Sequence, residues 1–359
     1  MNASSGRYIQ AFDGLRGLAI GLVLLHHIQL FGKWRVGPEI FFMLSGFLTT
    51  RSLQGRSREG VRETLLTFYR RRILRLTLPM AVLLAVLTPI LMLAGTDEGG
   101  MRDLLAAATY TINWQQALTP WESHSMAHLW SLAAEQQFYL MWPPVLLLCP
   151  RRCLRPLLAA LVGAALAWRF WLFAHGAGFN RLYFGFDTHA DALLVGCLLA
   201  LAAVPPRFEP LLRSAGAASL ALITLAALLL PATTTGTLCA AMTVTTILTA
   251  VVICGVRTGG GLLGAVMALR PLQAIGRMSY SLYLWNFPVI ALCHPHWHHG
   301  LKALQLSVLG SVSLANYLFV EKPLTRYLRI RPRPTSVVRP PEMPTREPVL
   351  AWVAAPSAS

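Results

Sequence analysis

What most restricts this chain is a succession of long apolar runs with few charges inside them. Ten can be marked, at roughly 11–31, 37–54, 74–95, 128–149, 155–175, 186–204, 214–231, 236–256, 271–293 and 303–321. A helix needs roughly 20 such residues to cross a ~30 Å hydrocarbon layer. Charged residues are 13% of the chain, against roughly 25% in a soluble domain. An ordinary soluble enzyme and a disordered protein are both excluded. The expected fold is all-α, a polytopic membrane helix bundle of about ten transmembrane helices. Residues 101–114 are too short to span and are expected to lie on the surface or re-enter.

The net charge of +16 fits this picture better than it fits nucleic-acid binding, because the basic residues cluster between apolar runs. With the N-terminus in the cytoplasm, 24 of the 31 Lys and Arg fall on the cytoplasmic side and 5 on the outer side. Arg16 and Arg169 lie inside runs. That asymmetry predicts a bacterial inner-membrane protein with both termini cytoplasmic and an even number of spans. Arg7 and Arg16 before an apolar run mimic a signal peptide, but no small-x-small site follows, so the first run is read as an uncleaved span. The six cysteines show no CxxC spacing and are expected to be buried free thiols. Residues 1–330 form the membrane domain in this reading, and the Pro- and Arg-rich 331–359 a disordered cytoplasmic tail. No internal repeat supports an inverted-repeat transporter.

Ionisable residues inside spans are costly and mark functional positions by default. Arg16 and His27 are eleven residues apart. At about 100° per residue that separation is within about 20° of three turns, so both lie on one face, ~16 Å apart along the axis. His26 points about 100° away. Two readings stand for the pair: a snorkelling arginine and a histidine capped by a carbonyl, or a cation and a base on one wall of a site. His128, Ser131 and Glu135 also share a face. Glu135, Arg169 and Asp191 fall at a depth similar to His27, so the carboxylates can pair with His27 or with Arg169, or the set is a structural polar network that holds the bundle together. Arg70, Arg71, Arg72 and Arg75 open the third run. They read either as a topology anchor or, with Arg16, as a cationic mouth for phosphates. The loop His294, His296, His298 and His299 has no carboxylate beside it and no regular spacing, so no metal is expected.

The opening Phe12-Asp13-Gly14-Leu15-Arg16-Gly17 with His27, followed by Glu39 to Leu48, resembles the membrane acyltransferase-3 family of bacterial O-acyltransferases. The Tyr69–Arg75 cluster, the His128–Tyr139 block, Ala190 to Leu194, Gly276 to Trp285 and Phe319 to Arg326 resemble its later blocks, in order, over about residues 8–330. Two positions depart from the family pattern. Gln136 stands where a second Glu is usual, and Asn286 where a His is frequent.

The resemblance implies an integral inner-membrane O-acyltransferase that moves acetyl from acetyl-CoA to a sugar hydroxyl. The acceptor would be a surface polysaccharide, a lipid-linked glycan or a secreted glycoside. His27 would be the general base, with Glu135 or Asp191 orienting it, and Arg16 with Arg70, Arg71, Arg72 and Arg75 would hold the donor's phosphates. Ser45 as an acyl carrier is the weaker option. A transporter or flippase for a glycoconjugate is the alternative use of the same buried charges. The partners expected are acetyl-CoA, the carbohydrate acceptor and the bilayer, with no nucleic acid.

Overall fold

The computed structural model describes residues 10–28, 37–54, 60–93, 95, 98–119, 126–230, 234–293 and 302–330. The His294–His299 loop and the 331–359 tail lie outside the described residues. Helices dominate, with no strand among the described residues. They are α1 (Ala11–His27), α2 (Gly37–Gln54), α3 (Val61–Leu93), α4 (Glu98–Ala108), α5 (Ile112–Leu118), α6 (Trp130–Leu148), α7 (Arg151–Ala174) and α8 (Phe179–Phe184). Then follow α9 (Phe186–Leu201), α10 (Glu209–Leu229), α11 (Thr235–Thr258), α12 (Gly261–Met267), α13 (Arg270–Arg277), α14 (Ser279–Cys293), α15 (Lys302–Asn316) and α16 (Lys322–Ile330). A short π-helical stretch, Tyr317–Glu321, joins the last two.

Every apolar run falls on a helix. Among the described residues, six helical stretches are long and apolar enough to cross a membrane: Val61–Leu93, Arg151–Ala174, Phe179–Leu201, Pro206–Leu229, Thr235–Thr258 and Lys302–Leu328. The shorter or more polar α1 and α2 bury most of their residues in the protein. The chain is a helical, multi-pass membrane bundle. Two extents differ from expectation. α3 begins at Val61, because the arginine-rich stretch before the third run continues the helix. The run at 271–293 breaks at Met278 into α13 and α14. The stretch at 101–114 forms parts of α4 and α5.

Burial sorts the helices by their solvent. In α7 only 11% of the most apolar window is buried, and Phe170, Trp171 and Phe173 are exposed, the pattern of a lipid-facing helix. In α11, rich in threonine, 56% of that window is buried. Thr245, Thr246 and Thr249 point into the bundle, which is why a threonine-rich stretch can span. Of the five described cysteines, all free thiols, Cys197 and Cys239 are buried but Cys153 is exposed at the start of α7.

Arg169 is fully buried although it comes from the lipid-facing α7. It grips Asp191 of α9 with two bonds of 2.9 and 3.0 Å and also donates to the Thr188 carbonyl and to Thr243 Oγ1 of α11, both at 2.8 Å. One cation thus ties three helices together. Such a pair is self-contained, with each charge neutralised by the other where hydrocarbon could solvate neither.

Two helix pairs approach so closely that only glycine fits between them. A Cβ on Gly276 of α13 would meet the Asp13 carbonyl oxygen at 1.8 Å, and one on Gly17 the Leu272 carbonyl oxygen at 2.1 Å. Across the α2–α9 contact, Gly46 and Gly196 would meet the carbonyl oxygens of Leu193 and Met43 at 2.0 and 2.2 Å. Small residues allow backbones to touch, the main route to tight helix association in lipid. Gly46→Val or Gly276→Val should lower the thermal unfolding temperature of the detergent-solubilised protein by several degrees or prevent accumulation. Gly21→Val should change it little, because a Cβ there meets nothing within 4 Å. Equal effects at all three positions would contradict this account of the packing.

Candidate active site

One cavity runs beside α1 from Arg16 to His27. Its lining includes Arg16, Arg72, Arg75, Arg277, Glu135 and Glu321, and further along His26, His27, His128 and Ser131. The two ends of the α1 stripe are ~16 Å apart by helical rise, so the cavity spans about half a hydrocarbon layer.

The cationic end is crowded. Arg75 is close enough to both Arg16 and Arg72 to interact with their charges. Arg72 sits 3.8 Å from the Tyr139 ring centroid and donates to Thr49 Oγ1 at 3.1 Å. The Nε donors of Arg16 and Arg72 are buried with no hydrogen-bond partner among the described residues. Four arginines against two glutamates, with unused donors, favour an anionic ligand that brings acceptor oxygens. The α3 cluster divides by helical phase. Arg72 and Arg75, three residues apart, line the cavity. Arg70 and Arg71, on other faces, do not. Arg70 is exposed and Arg71 half-buried, so of the four expected to hold a ligand only Arg72 and Arg75 line the cavity, together with Arg277 of α13.

The carboxylates do not sit where depth alone placed them. Glu135 lines the middle of the cavity and accepts from Ser45 Oγ at 2.7 Å and from Tyr139 Oη at 3.1 Å. Asp191 is enclosed by Arg169 and does not line the cavity. Similar depth did not mean a shared azimuth for Asp191, and the side chain bonded to His27 Nδ1 is neither carboxylate.

That side chain is Asn286 of α14. Its amide oxygen hydrogen-bonds His27 Nδ1, and its Nδ2 donates to the Tyr283 carbonyl. Because the amide nitrogen is committed to a carbonyl, the oxygen is the group turned to His27. The oxygen can only accept, so His27 Nδ1 carries the proton and Nε2 carries the lone pair. This is the geometry of a positioned base, supplied here by an amide instead of a carboxylate. His26 also lines the cavity, its ring 5.7 Å from that of His27, although its helical phase had placed it on another face. Asn286 was visible in the sequence only as a departure from a family pattern. Arg277 lay in a recognised block without a role.

A fold of this kind with an oriented imidazole and an arginine cluster on one cavity defines an acyltransferase-type site. The sequence model of the family described as acyltransferase domain matches residues 9–319, and the chain belongs to that family. Among its relatives are the peptidoglycan O-acetyltransferase OatA of Listeria monocytogenes, 29% identical over 90% of this chain and 56% of its own length. The O-acetyltransferase OatA of Staphylococcus aureus is 27% identical over 90% of this chain and 58% of its own length. The chain therefore spans little more than half the length of these relatives. No solved structure matches it.

If Asn286 fixes the His27 tautomer, Asn286→Leu should reduce acyl transfer about tenfold or more at unchanged membrane insertion. Asn286→His, which restores a ring nitrogen at this place, should retain more activity than Asn286→Leu. Transfer rates normalised to inserted protein check this. Equal rates in all three forms would remove Asn286 from the site.

Proposed function

We propose that this protein is an inner-membrane O-acetyltransferase that takes acetyl from acetyl-CoA and delivers it to a sugar hydroxyl of a cell-surface glycan. One observation carries the reading: the Asn286-oriented His27 and the cluster Arg16, Arg72, Arg75 and Arg277 line the same cavity. The O-acetyltransferase names of the relatives support the reaction, and the peptidoglycan in one of those names supports a glycan acceptor. Membership in an acyltransferase family leaves the transporter reading without support.

In this mechanism the arginine end holds the donor's phosphates and the thioester lies toward His27. His27 Nε2 accepts the proton of the acceptor hydroxyl as its oxygen attacks the thioester carbonyl. The C–O bond forms, the C–S bond breaks, and the imidazolium returns its proton to the departing thiolate. No acyl-enzyme is needed. Ser45 is buried and bonded to Glu135, off the cavity lining, which argues against a carrier role. The positive-inside count orients the protein with both termini and the arginine end cytoplasmic, where the donor is made.

Inverted membrane vesicles supplied with radiolabelled acetyl-CoA test this reading. His27→Ala should insert normally and transfer label about 10²–10⁴-fold more slowly. Arg16→Ala should raise the KM for acetyl-CoA about 10–100-fold, as expected for loss of charge-assisted bonds. Arg16→Lys should recover only part, because a point charge lacks the bidentate fork. Normal transfer by His27→Ala, or an unchanged donor KM in Arg16→Ala, would overturn the assignment.

A further inference from the structure

The far end of the cavity offers a ligand something different from the arginine end. His128 is 4% exposed and its ring lines the cavity. Its Nε2 lies 3.0 Å from the Leu284 carbonyl oxygen, so Nε2 carries the proton. No carboxylate among the described residues pairs with its ring nitrogens, so the imidazole is neutral and Nδ1 bears a lone pair. That Nδ1 is buried with no hydrogen-bond partner among the described residues. The Tyr283 hydroxyl donates to the His128 carbonyl, which spends its only proton. Ser131 Oγ, 2.7 Å from the Tyr283 hydroxyl, must therefore be the donor of that contact and keeps only lone pairs for the cavity. His27 Nε2 is a third acceptor by the Asn286 argument. The His27 and His128 rings both pack on Phe287, at 5.6 and 5.5 Å between centroids, so they lie within one side chain of each other.

This end of the cavity thus presents acceptors at His128 and Ser131. A ligand rich in hydroxyls would satisfy the unpaired His128 Nδ1. Resting on the acyl-transfer reading above, we propose that His128 binds the acceptor directly. Its Nδ1 receives a hydrogen bond from a second hydroxyl of the substrate, close to the one that His27 deprotonates. The acceptor class is then a sugar or polyol with at least two neighbouring hydroxyls, and a simple monoalcohol is a poor substrate. The rings of Trp130 and Tyr183, 4.8 Å apart and also on the lining, give the apolar C–H face of a pyranose a surface to rest on.

The test uses the full chain in lipid nanodiscs with radiolabelled acetyl-CoA. The acceptor probes are methyl hexopyranosides and the disaccharide N-acetylglucosaminyl-N-acetylmuramic acid. For a sugar that the wild type acetylates, His128→Ala and the ring-preserving His128→Phe should raise the acceptor KM about tenfold or more. The acetyl-CoA KM and the pH–rate profile should stay unchanged. His128→Asn, whose amide oxygen can accept, should recover part of the loss. A monodeoxy analogue lacking the second hydroxyl should be a poorer substrate for the wild type and no worse than its parent sugar for His128→Ala. Unchanged acceptor KM in an active His128→Phe, or acceptor and donor KM rising together, overturns the inference while the acyl-transfer reading survives. Absence of transfer by the wild type to every probe removes that reading and this inference with it.

Discussion

Hydrocarbon will not solvate a charge, and the arrangement of this bundle follows from that. Every ionisable side chain carried on a spanning helix must find either a counter-charge or a polar space inside the protein. The chain uses both solutions, in separate places. Arg169 and Asp191 neutralise each other behind the lipid-facing α7 and join three helices. Arg16, Arg72, Arg75 and Arg277 face an internal cavity whose lining carries only two acids, Glu135 and Glu321, unlike the one-to-one pairing of Arg169 with Asp191.

Backbone contacts keep that cavity in shape. The glycine-mediated approach of α1 to α13 brings Arg277 onto the wall beside the Arg16–His27 stripe. The following helix, α14, then carries Asn286 to His27 Nδ1, so the tautomer of the base depends on how closely two helices pack far along the sequence. The lining changes character along its length, from donors at Arg16 and Arg72 to the acceptor Nδ1 of His128, all without a hydrogen-bond partner among the described residues. A donor with phosphates and an acceptor with hydroxyls can enter such a space with opposite hydrogen-bonding demands and meet where the imidazole stands.

Much of this was legible from one-dimensional pattern. The apolar runs located the helices, and an eleven-residue spacing on a 3.6-residue helix placed Arg16 and His27 on one wall. Helical phase also separates Arg72 and Arg75 from Arg70 and Arg71, a distinction the arginine cluster hides when read as a block. Pattern gave depth but not azimuth between helices. Depth therefore left Asp191 open to His27 or Arg169, and the structure pairs it with Arg169; His26 looked remote when it shares the cavity. Asn286 and His128 act through contacts 259 and 156 residues distant in sequence, and no local periodicity reports such pairings. The short α8 and α12 escaped the reading because neither is long enough to give a clear apolar period.

The central claim is that one continuous cavity takes an anionic donor at its arginine end and presents the donor's thioester to His27. A cryo-electron microscopy structure of the chain in nanodiscs with coenzyme A bound tests it most directly. The account predicts phosphate oxygens within hydrogen-bond distance of Arg16 and of Arg72 or Arg75, with the sulfur lying toward the His27 ring. Phosphates held elsewhere, or a sulfur that remains at the arginine end with apolar side chains closing the path to His27, would contradict it.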